Sequence, residues 1–111
     1  MPVRTKRVVL LERADADIRT ALAWYRAEAP AAADGFLAAL ERAIRHIRRA
    51  PASGSPRYAH ALNLPGLRFW PCSRYPYLVF YMEHAERIDV WRVLHSQRDI
   101  PAWLQEPDAP S

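Results

Sequence analysis

Arg92-Val93-Leu94-His95-Ser96-Gln97-Arg98-Asp99 holds the densest run of chemically capable side chains in the sequence. A histidine, a hydroxyl, two guanidiniums and a carboxylate could supply a general base, a cationic clamp for an anion, or both. His95 suits a general base, and equally suits a bond to the backbone of a turn; the second role is the commoner one. Ser96 follows it directly, but no strand-to-helix nucleophile elbow surrounds that serine, which argues against a hydrolase. Arg98 and Asp99 read as an ion pair that fixes the segment after them; if exposed, such a pair stabilises by about a kcal/mol at most. Arg68 and Arg92 sit in apolar strands, so each needs a carboxylate, either inside the fold or on an acidic partner. His46, His60 and His84 lack the mutual spacing of a metal site, and neither metal nor cofactor is expected. Cys72 is the single cysteine, with no base beside it, so it reads as an inert thiol outside any disulfide framework.

The elements that must position these groups begin with a β-hairpin. Tyr77 to Met82 and Ile88 to Leu94 are two runs of β-branched and aromatic residues, separated by the polar turn Glu83-His84-Ala85-Glu86-Arg87. Alternation puts Tyr77, Val79 and Tyr81 on one face and Leu78, Phe80 and Met82 on the other. Both faces are apolar, so the strand is central and must be covered on each side. Val3 to Leu11 is a further strand candidate with a basic margin at Arg4, Lys6 and Arg7. Leu67 to Trp70, opened by Pro65-Gly66 and ended near Pro71, is another, and Arg57 to Leu62 is expected as a short edge strand.

Two helices lie between. In the first, Asp15 or Asp17 is expected to cap the N-terminus or to favour its helix dipole, and Ile18, Ala21, Leu22 and Tyr25 form the apolar stripe with Trp24 beside it. Pro30 ends that helix and opens the next. There Phe36, Leu40, Ile44 and Ile47, joined by Leu37 and Ala43, make the buried stripe. Glu41, Arg42, Arg45, Arg48 and Arg49 make the opposite face, whose default reading is a solvated one. Pro51 to Pro56 is a loop, and Ile100 to Leu104 a closing helical turn anchored by Trp103. A helical hairpin covers one face of a sheet. The other face would then carry Trp70, alternate residues of the hairpin and little else, and an uncovered apolar patch marks a partner site.

The totals fit one soluble domain, residues 1–105, with a frayed tail at 106–111: half of the 111 residues are hydrophobic and a quarter charged. The net charge is +4, carried almost wholly by arginine, since Lys6 is the only lysine. With no apolar span and no signal-peptide pattern, the expected setting is cytoplasmic.

The order of these pieces resembles the RelE/ParE toxin superfamily, and most closely its ParE branch. It rests on Asp17-Ile18 with Trp24-Tyr25, Gly66-Leu67-Arg68, Pro76 to Tyr81, and Arg92 to Pro101. The resemblance implies an α+β fold, with an N-terminal strand, a helical hairpin packed on one face of a mostly antiparallel sheet and a short C-terminal helical turn. It also implies a type II toxin–antitoxin module in which a ParD-like antitoxin wraps the toxin and DNA gyrase is the target. On that basis Arg68, Trp70, Phe80, Trp91 and Arg92 are expected to meet the antitoxin, and His95, Arg98 and Asp99 the target. RelE-type members instead cleave mRNA on the ribosome without metal, which needs a base, phosphate-binding cations and an acid. Here such a set would comprise Arg68, Tyr81, Arg92, His95 and Arg98. The arginine of the RelE-type strand is replaced by Leu78, however, and the preceding strand has no lysine. The resemblance therefore favours an inhibitor that acts by contact.

Overall fold

A computed structural model describes residues 5–105; residues 3 and 4 of the expected first strand, and the tail from 106, lie outside the described residues. The element order is β1 (Arg7–Leu10), α1 (Glu12–Glu28), α2 (Pro30–Arg49), β2 (Leu67–Pro71), β3 (Tyr77–Glu83), β4 (Arg87–His95) and α3 (Ile100–Leu104). The four strands form one sheet in the order β1-β4-β3-β2, parallel between β1 and β4 and antiparallel elsewhere. This is the α+β arrangement that the resemblance implies.

The helical hairpin forms as the periodicity dictates. Pro30 stands at the start of α2, where its missing N–H leaves no bond unmade, and α1 stops two residues earlier. Ile18 of α1 and Leu40, Ala43 and Ile47 of α2 are buried against Val79, Tyr81, Ile88, Val90 and Val93 of the sheet, while Ala21, Tyr25 and Phe36 form an adjoining cluster with Tyr75 and Tyr77. Each large aliphatic or aromatic side chain among them contributes about 1.5–3 kcal/mol of burial. Of the two roles expected at the start of α1, the structure shows the dipole one: Leu11 occupies the N-cap with no side-chain bond, while Asp15 lies in the first turn and pairs with Arg19 one turn on. Asp17 is instead drawn into the sheet.

Strand register decides which aromatic faces which way. Trp70 pairs with Val79, so it faces the helices and stacks on the His46 ring, with centroids 3.7 Å apart. Its expected place on the opposite face is therefore corrected: Phe69, paired with Phe80, takes that place. Between β3 and β4 the register slips by one. Phe80 pairs with Arg92 and Tyr81 with Val90, which leaves Trp91 as the extra residue of a bulge.

The face opposite the helices is not left bare. Residues 57–62, expected as an edge strand, form consecutive turns instead, which run on to residue 63. They lay Tyr58 and Ala59, with Leu64, over Phe69 and Phe80, while Ile100, Trp103 and Leu104 of α3 close the rest. The result is a second small core built on Leu67, Phe80, Leu94 and Ile100. The loop is tied to the sheet by Ser55, which exchanges backbone bonds of 2.9 and 3.0 Å with Phe69, and Gly66 re-enters the sheet at φ +91°, a conformation natural to glycine.

Burial pushes the Cys72 thiol up to about 11 from an ordinary 9.0, with Arg42 pulling weakly the other way. It likewise raises the phenols of Tyr25, Tyr77 and Tyr81. The unfolded chain therefore ionises first as pH rises. Stability should be level up to about pH 9 and fall above it, Cys72 accounting for roughly 2–3 kcal/mol. Urea melts between neutrality and pH 11 check this, and Cys72→Ala should flatten the first part of the decline.

Candidate functional site

The site grows from the place where β4 outlasts β1. β1 ends at Leu10, opposite Val90, whereas β4 continues to His95. The open edge left on β4 is covered by α1, and Asp17 meets it. Its Oδ2 accepts the Val93 backbone N–H at 2.9 Å, a bond that a neighbouring strand would otherwise supply. The same carboxylate receives Arg92 in a two-pronged contact, Nε at 2.8 Å and Nη2 at 2.9 Å. Nη1 of Arg92 donates to the Trp103 carbonyl at 3.0 Å. One buried ion pair thus ties α1, β4 and α3 together.

Beyond this tie the chain turns. His95 Nδ1 accepts the Gln97 N–H at 3.1 Å, so its neutral ring carries the proton on Nε2, and Tyr77 meets the imidazole edge-on at 5.3 Å. Arg98 and Asp99 do not pair with each other. The Arg98 guanidinium lies 4.3 Å from the centre of the Trp103 ring, and Asp99 caps α3 by accepting the Ala102 N–H at 3.3 Å. Between these groups and α1 lies a groove of about 650 Å³, walled by Trp24, Tyr25, Tyr77 and Trp103 and rimmed by Thr20, His95 and Arg98. Trp24 stands at its edge 56% exposed, an unusual state for a tryptophan. It is the groove residue that sequence could have disclosed, because it falls just outside its helix's apolar stripe.

The other expected site residues do not gather here. Tyr81 is fully buried: its hydroxyl donates to the Pro51 carbonyl at 2.6 Å and accepts the Gly54 N–H at 3.1 Å. Arg68, its cross-strand partner, donates to the Gly54 carbonyl at 2.7 Å and so binds a loop rather than a carboxylate. Tyr81 stands four residue steps along β3 from Tyr77, the partner of His95, which is about 13 Å along the strand. The five residues of the nuclease set therefore occupy three places: Arg68 and Tyr81 at the loop, Arg92 inside the ion pair, His95 and Arg98 at the groove. Of the residues expected to meet an antitoxin, Phe80 is wholly buried and Arg92 is 7% exposed and held by Asp17. Arg68, Trp70 and Trp91 are half-buried, with Trp70 and Trp91 on opposite faces of the sheet. They do not form one surface.

What the arrangement offers is a groove with aromatic walls and the Arg98 guanidinium at its rim. Among the described residues no three His, Cys, Asp or Glu side chains converge as metal ligands, and no helix is long and apolar enough to cross a membrane.

Comparison with known proteins agrees with this fold. No curated protein matches the chain. Among solved structures, the chromosomal ParDE TA system from P. aeruginosa is similar to it with a TM-score of 0.61 at 15% identity, covering 84% of this chain and 98% of that one. At that identity the likeness speaks for the fold alone. The model of the ParE toxin of the type II toxin–antitoxin system, parDE, matches residues 8–100, nearly the whole folded part. The chain belongs to the ParE toxin family.

Proposed function

We propose that this toxin arrests bacterial growth by binding DNA gyrase, with no active site of its own, and that a ParD-like antitoxin neutralises it in a cytoplasmic complex. The observation that carries the reading is the commitment of the candidate nuclease groups to the fold. A phenol that anchors a loop and a guanidinium locked in a buried carboxylate fork are poorly placed to move protons or clamp a phosphate. The groove between α1 and the end of β4 supports the rest. Its aromatic walls suit a desolvated protein contact, and Arg98 and His95 at the rim suit polar contacts around it. On this account Asp99 acts on the target only by capping α3, and the antitoxin silences the toxin by covering the groove.

Induction of the chain alone in a bacterial host, with DNA synthesis and translation followed separately, tests the proposal. DNA synthesis should fall first, with a DNA-damage response, while mRNA stays intact. Early mRNA cleavage with continuing replication would instead support the ribosome-dependent endoribonuclease alternative. The double replacement His95→Ala/Arg98→Ala should abolish growth arrest. Because both groups lie at the rim, it should lower stability by no more than about 1 kcal/mol. Retained toxicity in that variant would move the target contact elsewhere.

A further inference from the structure

The solvent face of α2 carries Arg42, Arg45, Arg48 and Arg49, all exposed, with Glu41 the one acidic side chain among them. On a helix these four fall within an arc of about 120° and along about 10 Å of axis. Arg45 stands three or four residues from each of the others, the spacing at which like charges repel. The helix dipole favours Arg48 and Arg49 in the last turn, but not Arg42 and Arg45. Among the described residues no carboxylate forms an ion pair with any of the four. A cleft of about 500 Å³ between α2 and β1 adds Arg7 beside Arg45 and Arg48. β1 is itself an open edge. The Leu11 N–H donates to Val90, so the alternation of the strand turns the N–H groups of Val8 and Leu10 away from β4 and outward.

We propose that this face binds the phosphate backbone of duplex DNA without reading its sequence. Forked guanidiniums match phosphate oxygens, and outward backbone N–H groups are further phosphate donors. Beside its arginines, which can also fork onto a guanine edge, α2 contains no Asn, Gln, Ser or Thr to read the other bases. An acidic peptide strand added to β1 would meet Arg7, Arg45 and Arg48. It would leave Arg42 and Arg49, which lie outside the cleft, without an anion. A polyanion as broad as a duplex serves the whole arc. This binding does not depend on gyrase and is measured without it.

The test is fluorescence anisotropy of a labelled duplex of about 20 base pairs and mixed sequence, titrated with the purified chain at different salt concentrations. Neutralising about four phosphates predicts that affinity weakens about 100-fold between 50 and 200 mM salt. Two unrelated sequences should bind equally. The double replacement Arg45→Glu/Arg48→Glu should remove binding at the lower salt with an unchanged circular dichroism spectrum. The same charge change at the exposed Arg26 and Arg57 should leave most of the binding intact. No binding at low salt, equal loss in both double variants, or marked sequence preference would overturn the proposal. So would displacement of the duplex by poly-glutamate at a lower charge concentration, which would assign the face to an acidic protein.

Discussion

Asp17→Ala is expected to destabilise the fold by about 3–5 kcal/mol, because it removes the carboxylate that holds Arg92 in a two-pronged contact at a place only 7% exposed. It also leaves the Val93 N–H, on the edge of β4 that β1 does not reach, without its acceptor. A domain of this size has about 5–15 kcal/mol of stability, so the variant should be marginal. Urea melts should show a lower midpoint with an unchanged slope. Asp17→Asn retains an acceptor for Val93 and should lose less. Adding Arg92→Met to Asp17→Ala should recover part of the loss, since the buried charge is then gone. If Asp17→Ala alters stability by less than about 1 kcal/mol, the pair is more solvated than its geometry indicates and does not hold the groove together.

The second large effect concerns Gly54, whose backbone angles, φ −66° and ψ 157°, suit any residue. The demand for glycine is spatial. A β-carbon here would run into the Tyr81 hydroxyl and lie 2.9 Å from the Phe69 carbonyl oxygen. Gly54→Ala must therefore push the loop off the sheet. That breaks the Tyr81–Gly54 and Arg68–Gly54 bonds and disturbs the adjacent Ser55–Phe69 bridge. We expect a loss of about 2–4 kcal/mol, and of about 1–3 kcal/mol for Tyr81→Phe, which leaves the Pro51 carbonyl and the Gly54 N–H unpaired. The two changes should not add. Without the hydroxyl, part of the room needed by alanine already exists, so the double variant should fall short of the sum by about 1 kcal/mol. Strict additivity would show that the clash with the Phe69 carbonyl alone sets the cost.

These two anchors also mark where the sequence was legible. Periodicity identified the stripes of both helices, the hairpin and the closing turn at Ile100–Leu104, because each is a local pattern whose solvent and core faces the chain itself spells out. Asp17 looked like a cap because an acidic residue near a helix start has a common local use. Its actual partners lie 75 and 76 residues away and leave no local mark. Trp70 was assigned to the wrong face because parity along a strand says nothing of register against its neighbour. The residues before Leu64 looked like an edge strand, yet they fold as turns. Tyr58 and Ala59 lower their free energy more by covering Phe69 and Phe80 than by pairing along an edge. That difference also removed the bare sheet face as a partner surface and shifted attention to the groove beneath Trp24.

Inhibition by contact with gyrase can be measured with purified components. The chain is added to gyrase, ATP and relaxed plasmid, and in parallel to ribosomes carrying mRNA. Loss of supercoiling, accumulation of cleaved plasmid, relief by a ParD-like antitoxin and intact mRNA are expected. Normal supercoiling together with cut mRNA would contradict inhibition by contact, and would place His95 and Arg98 in a nuclease instead.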